Sequence, residues 1–235
     1  MSKICLIRQP AGLGDIFFLQ KIAKHYLSQG YKILWPVISE FKYIKDYIKV
    51  ENITFVDENE SFPYKNIFMR GDSTPIQISD SLLYLPIQNF DRNYPNKSVM
   101  YSKYNLLGME YHDWVDFFEF ERNLEKEKKL KNILNIKDLE YNLVNRQFGS
   151  PPNSQNCSHM GQYENSIEMT YIEGYSIFDW VGIILGAKHI YTAETSLLYI
   201  LTKLGLENVT VYSKHNPPNY FHVLELFPKN WTYIL

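Results

Sequence analysis

Apolar and polar positions alternate between two periods along the first 70 residues. The run KICLI (3–7) is short and almost wholly apolar, as a buried strand is. Residues 15–28 then place Ile16, Leu19, Ile22, Ala23, Tyr26 and Leu27 at helical spacing. Gly30 follows where a glycine closing a helix belongs. A second strand is predicted over YKILWPV (31–37), with Ser39 as N-cap of a helix at 40–49. Apolar runs at 53–56 and 66–69 predict two further short strands. Residues 71–97 read as loop, with Pro75, Pro86 and Pro95 set among Asp, Asn and Ser. Helical spacing returns at 98–107 and stops at Gly108.

Residues 122–134 (RNLEKEKKLKNIL) predict a highly charged helix, a solvated face or a connector. A second set of elements follows it. YNLVNRQFG (141–149) is a strand entering a turn, 150–166 a polar loop, and IEMTYIEG (167–174) another strand. Ser176 caps a helix IFDWVGIIL, KHIYTA (188–193) is a strand, TSLLYILTKLG (195–205) a helix, and VTVYS (209–213) a strand. Strands alternating with helices argue for parallel sheets with helices packed on them. The expected organisation is an α/β half at 1–121, a connecting helix at 122–140 and a second α/β half at 141–235.

The 235 residues are 45% hydrophobic and 21% charged, enough for one large core or two smaller ones. A net charge of −2 gives no global pull toward nucleic acid or an anionic membrane, so a phosphorylated ligand would be held by local groups. Cys5 and Cys157 are the two cysteines, and the six histidines have no metal-ligand spacing. A zinc site and a disulfide framework are therefore not expected, which fits a reducing cytoplasm. The opening MSKICLIRQP turns polar too soon for a signal peptide. The longest apolar run, WVGIILGA (180–187), is far short of the about 20 residues that span a bilayer. A soluble cytoplasmic protein is expected. The 19 Tyr and 14 Phe suit either stacking on sugars and bases or an ordinary core.

Three places carry candidate chemistry. Gly12-Leu13-Gly14-Asp15 joins a strand to a helix, and glycines there let backbone come close to a ligand. The dinucleotide fingerprint would need a third glycine where Phe17 stands. Asp15 suits two roles: a general base at a cleft, or a charge stabilising the helix N-terminus. Glu194, Thr195 and Ser196 lie between a strand and a helix. There, hydroxyls and free N–H groups can cradle phosphate, and Glu194 can accept from sugar hydroxyls. The alternative reading is a plain helix cap. Arg146 ends a strand, where open α/β sheets place ligands, and its guanidinium matches a phosphate. Lys214 and His215 follow the strand 209–213 at a comparable place. The chain has no Asp-X-Asp triplet, which argues against metal-dependent sugar transfer, and no nucleophile elbow or Walker lysine loop.

With these residues the chain resembles the GT-B glycosyltransferases of the heptosyltransferase-like group, glycosyltransferase family 9. That family opens with a strand, a Gly-Asp turn and a helix, as ICLIRQPAGLGDIFFLQKIAKHY does. Its later Asp-Thr-Gly-X-X-His turn corresponds to Glu194-Thr195-Ser196-Leu197-Leu198-Tyr199, and its strand ending in a basic residue to YNLVNRQFGSPP. The likeness covers roughly 1–60 and 141–213. Glu194, Ser196 and Tyr199 depart from the family's Asp, Gly and His. The chain is also shorter than a typical two-domain member, with too little room in its second half for six strands at about 30 residues per βαβ unit.

The resemblance implies two Rossmann-like α/β/α halves with parallel sheets facing a cleft, the first for the acceptor and the second for the donor. It implies Asp15 as the base that deprotonates an acceptor hydroxyl, on a turn built by Gly12 and Gly14. Arg146, Thr195 and Ser196 would bind the diphosphate of a nucleotide sugar, with Glu194 near the donor and Tyr199 and Lys214 as lesser contributors. Transfer would be inverting and need neither metal nor cofactor. Its partners would be the nucleotide sugar and a glycan or other hydroxyl acceptor. Two alternatives stand beside it. One is a non-catalytic nucleotide- or glycan-binding module of the same fold. The other is a nicotinamide-dependent oxidoreductase, suggested by the Tyr-X-X-X-Lys spacing of Tyr199 and Lys203.

Overall fold

A computed structural model of the chain describes residues 2–93, 99–137, 140–149, 153–215 and 224–234. Pro95 and Ser98, at the edges of the predicted loop and helix, lie outside the described residues. So do residues 150–152 of the later polar loop. The chain divides into two compact units, residues 1–120 and 121–235.

In the first unit, KICLI is strand β1 (Lys3–Ile7), and the amphipathic run is a pair of helices, α1 (Leu13–Phe18) and α2 (Gln20–Ser28). They meet at Leu19, whose N–H still bonds the Asp15 carbonyl, so one helical face continues across both. Gly30 has φ +82°, the left-handed value that lets the chain leave a helix and re-enter the sheet as β2 (Tyr31–Val37). Ser39 begins a 3₁₀ segment (Ser39–Asp46) instead of capping an α-helix; its hydroxyl donates to Asp57 Oδ2 at 2.7 Å. Strand β3 (Ile53–Asp57) follows.

The predicted strand at 66–69 is a helical turn, α3 (Lys65–Phe68), and the predicted loop holds two strands, β4 (Ile76–Ser79) and β5 (Leu82–Leu85). A four-residue apolar run has no period long enough to separate strand from helix, so the partner decides. Phe68 becomes a plug beneath the sheet, packed with Phe62, Leu6, Leu82 and Tyr84. LLYL is buried throughout because it pairs in parallel with β1 at the centre of the sheet. The order is β3-β2-β1-β5-β4, parallel except for the β4–β5 pair. A 3₁₀ segment (Ile87–Asn93), α4 (Val99–Asn105) and α5 (Trp114–Phe117) complete the unit. Phe17 is fully buried and stacks on Phe118 at 4.7 Å.

In the second unit the charged helix is α6 (Leu124–Ile133), with Leu130 buried and Arg122 paired to the buried Glu127. YNLVNRQFG divides into β6 (Asn142–Asn145) and β7 (Gln147–Phe148), which forms a small hairpin with β8 (Gln155–Asn156). The strand predicted at 167–174 is confined to β9 (Ser166–Glu168). Ser176 starts a 3₁₀ turn (Ile177–Trp180) by donating through N–H and hydroxyl to Asp179, at 2.7 and 3.0 Å, and α7 (Val181–Gly186) continues it. Then come β10 (His189–Ala193), α8 (Leu197–Lys203), β11 (Val209–Tyr212) and β12 (Thr232–Ile234). The sheet runs β12-β11-β10-β6-β9, parallel in every pair.

The steps β9→β10→β11 move one way across this sheet, whereas β6→β9 moves the other. Right-handed crossovers then put α7 and α8 on one face and the described parts of the β6–β9 connection, 146–149 and 153–165, on the opposite face. That opposite face is closed by the connection's own Cys157, Met160, Phe148 and Tyr163 against Val144 and Ala193.

Candidate functional sites at the carboxyl ends of two sheets

In the first unit the chain leaves β1 through Arg8, Gln9, Pro10 and Ala11 to Gly12, which has φ +80° and ψ 86°. Any other residue there is strained and meets the Asp15 side chain. A Cβ on Gly12 would lie 2.2 Å from Asp15 Oδ2, so the carboxylate occupies the space that glycine leaves empty. Gly14 sits inside the first turn of α1. Asp15 Oδ1 is 2.8 Å from Lys103 Nζ, and that ammonium, only 2% exposed, also donates to Gln9 Oε1 at 2.6 Å. Gln9 is held in turn: its Nε2 donates to the Ala11 carbonyl at 2.6 Å, and its own carbonyl accepts from Trp35 Nε1 at 3.1 Å. The Asp15 carboxylate therefore makes no cap to its own helix. It is set by a buried cation, with Oδ2 over Gly12 and about a quarter of the side chain exposed.

In the second unit the carboxyl ends of β6, β10 and β11 bring Asn145, Glu194, Thr195 and Lys214 together. Asn145, buried, donates through Nδ2 to Thr192 Oγ1 (3.0 Å) and Thr195 Oγ1 (3.1 Å). Thr195 Oγ1 also accepts from the Leu197 N–H at 3.2 Å. Both of its lone pairs are thereby used, so its hydroxyl proton is the part left to offer an acceptor on a ligand. Ser196 is the cap residue of α8 and makes no side-chain cap bond, so the helix starts at Leu197, two residues later than the sequence predicts. Glu194 is 8% exposed; Oε1 stands 3.6 Å from Lys214 Nζ, and Oε2 is buried without a partner among the described residues. Burial raises its pKa above the ordinary carboxylate value, against the opposing pull of Lys214 and His215.

Arg146 and Tyr199 are placed differently from these. The Arg146 guanidinium bonds Glu168 Oε1 through Nε (3.0 Å), the Met160 carbonyl (2.7 Å) and the Gly161 carbonyl (2.5 Å), and lies over the Tyr163 ring. One N–H on each terminal nitrogen remains. Tyr199 is 7% exposed and edge-on to Phe227 at 4.8 Å, part of the packing beneath α8. Three residues escaped the sequence reading: Gln9, Lys103 and Asn145. A lone lysine in an amphipathic run, or an amide on a strand, has no local mark that separates it from a surface residue. Among the described residues no group of three or more His, Cys, Asp and Glu could hold a metal ion, and no helix is long and apolar enough to cross a membrane. Both cysteines are buried and free.

No family model matches the chain, and no curated protein matches it. Among solved structures, the crystal structure of the glycosyl transferase family 9 from Veillonella parvula DSM 2008 superposes with a TM-score of 0.54. The alignment covers 99% of this chain and 86% of that one, at 11% identity. The chain shares the fold of that glycosyl transferase. The likeness is one of architecture: a mixed α/β, GT-B-like arrangement with two mainly parallel sheets.

Proposed function

We propose that the chain is a glycosyltransferase that moves a sugar from a nucleotide-diphosphate donor to an acceptor hydroxyl, with inversion and without a metal. The observation that carries this reading is the seating of Asp15. Its carboxylate is set over Gly12 by the buried Lys103–Gln9 pair at the carboxyl end of β1, in a chain with a glycosyltransferase-like fold. In this role Asp15 takes the proton of the acceptor hydroxyl as that oxygen attacks the anomeric carbon. The bond from that carbon to the donor phosphate breaks, and the nucleoside diphosphate leaves with the electron pair. The Thr195 hydroxyl, Ser196, Lys214 and the remaining N–H groups of Arg146 stabilise the charge that develops on it. Glu194 accepts from a donor hydroxyl, and Gly12 and Gly14 hold the acceptor-side turn.

A second reading is a nucleotide- or glycan-binding module of the same fold without turnover. It is favoured by Tyr199, which is packed against Phe227 at the place where the resembled family has a histidine. Thermal-shift titration with UDP, GDP, ADP and CMP, followed by donor hydrolysis and transfer assays, separates the two. The enzyme reading expects one nucleotide to stabilise the protein and its sugar conjugate to be turned over. It also expects Asp15→Asn to lose turnover by about 10²-fold or more while keeping the nucleotide shift. Turnover that survives Asp15→Asn intact removes Asp15 as the base; stabilisation without turnover establishes the module.

A further inference from the structure

A pocket of about 580 Å³ opens at the amino ends of the second unit's strands, with Glu164 and Asn165 at the end of the β6–β9 connection on one side of it. Its wall is made by His189 and Tyr191 of β10, Asn142 at the start of β6, and Asn165 just before β9. Glu194 and Thr195 follow the other end of β10. At about 3.3 Å per residue, the five-residue strand puts about 13 Å between its two ends. Tyr191, the lining residue of β10 nearest the other end, is three residues from Glu194, about 10 Å along the strand, so the pocket and the proposed donor site lie toward opposite ends of β10.

Its lining is rich in hydrogen-bonding groups with capacity to spare. Asn142 and Asn208 each donate through Nδ2 to a backbone carbonyl, at 3.0 and 3.3 Å, which leaves both Oδ1 atoms as acceptors. His189 Nε2 bonds Thr210 Oγ1 at 2.8 Å, leaving Nδ1 for a ligand. Burial holds the His189 pKa below its ordinary value and so favours the neutral ring. Tyr191 is stacked on Tyr163 at 3.7 Å and is thereby a rigid part of the wall. The charges do not suit an anion: Lys188 is paired with Glu140 at 2.9 Å, and Glu164 adds a second carboxylate. Amides, a neutral imidazole, tyrosines and a carboxylate around a pocket of small-ligand size match a neutral polyol.

We propose that this pocket binds a saccharide residue, as a docking site distinct from the transfer site. The inference does not depend on the chain being a transferase. Saturation-transfer NMR on the full chain, titrated separately with glucose, galactose and N-acetylglucosamine, tests it; inorganic phosphate added as a competitor is expected not to reduce the sugar signal. At least one of the sugars is expected to bind saturably, at about 1 mM. Asn165→Gly deletes the amide while suiting the φ of +47° at that position, and Tyr191→Phe removes the hydroxyl but keeps the ring. Each is expected to weaken sugar binding about three- to tenfold, while Thr195→Val leaves it unchanged. The proposal falls if none of the sugars binds, if both pocket variants bind as the parent does, or if Thr195→Val abolishes the signal.

Discussion

Gly12→Ala is the sharpest perturbation of the first candidate site. Two separable effects follow from it. The backbone at φ +80° is strained for any L-residue, at about 1–2 kcal/mol. The new Cβ would stand 2.2 Å from Asp15 Oδ2, which expels the carboxylate and breaks its 2.8 Å pair with the buried Lys103. Loss of a hydrogen bond between charged groups costs about 1.5–3 kcal/mol, and Lys103 at 2% exposure has no water to replace it. The expected total is about 2.5–5 kcal/mol. In an Asp15→Ala background the second effect is already spent, so Gly12→Ala there should cost only about 1–2 kcal/mol. A double-mutant cycle by urea unfolding, followed through Trp35 and Trp114 of the first unit, should return a coupling of about 2 kcal/mol. If Gly12→Ala costs the same in both backgrounds, within about 0.5 kcal/mol, the carboxylate does not rest on Gly12 and the site is misassigned.

Asn145→Ala leaves the hydroxyls of the buried Thr192 and the half-buried Thr195 without their shared donor. It should cost about 1–3 kcal/mol and also diminish nucleotide-induced thermal stabilisation. A loss of stability with an unchanged nucleotide shift would restrict Asn145 to a structural role. For Glu194, the folded pKa is raised above the unfolded value of about 4.5, so its contribution is complete below that value and is lost as pH rises through the folded pKa. Glu194→Gln should therefore raise Tm progressively relative to the parent as pH is increased from about 4 to 8, with little difference at the acid end. A Tm difference that does not vary with pH would mean that the carboxylate is not desolvated in the fold.

How much could be read in advance varied with how local each signal is. β1, β2, β10 and β11 carry apolar runs that are strands in any α/β context, and Gly30 marks its helix end through a backbone conformation it alone adopts cheaply. LLYL at 82–85 looked like part of a loop between Pro75 and Pro86, yet it lies beside β1 because the pairing edge of β1 accepts it. Residues 66–69 looked like a strand and coil into a turn that buries Phe68. The sites divide in the same way. Asp15, Thr195 and Glu194 stand beside strand ends and were visible as strand–turn–helix corners. Lys103 reaches Asp15 across 88 positions and Asn145 reaches Thr195 across 50, distances at which sequence spacing carries no information.

What the sequence by itself determined is the alternation of strand and helix, the glycine corners, and the residue types placed at the ends of strands. These follow from side-chain periodicity and backbone sterics, which act within a few residues. Only the tertiary structure decided which apolar run sits at the centre of a sheet and which cation seats Asp15. It likewise decided that Arg146 is tied to its own loop and that a polar pocket opens at the amino ends of β6, β9 and β10. Each of those outcomes is a competition among distant groups for burial and hydrogen-bond partners, and such a competition is settled only once the chain has folded.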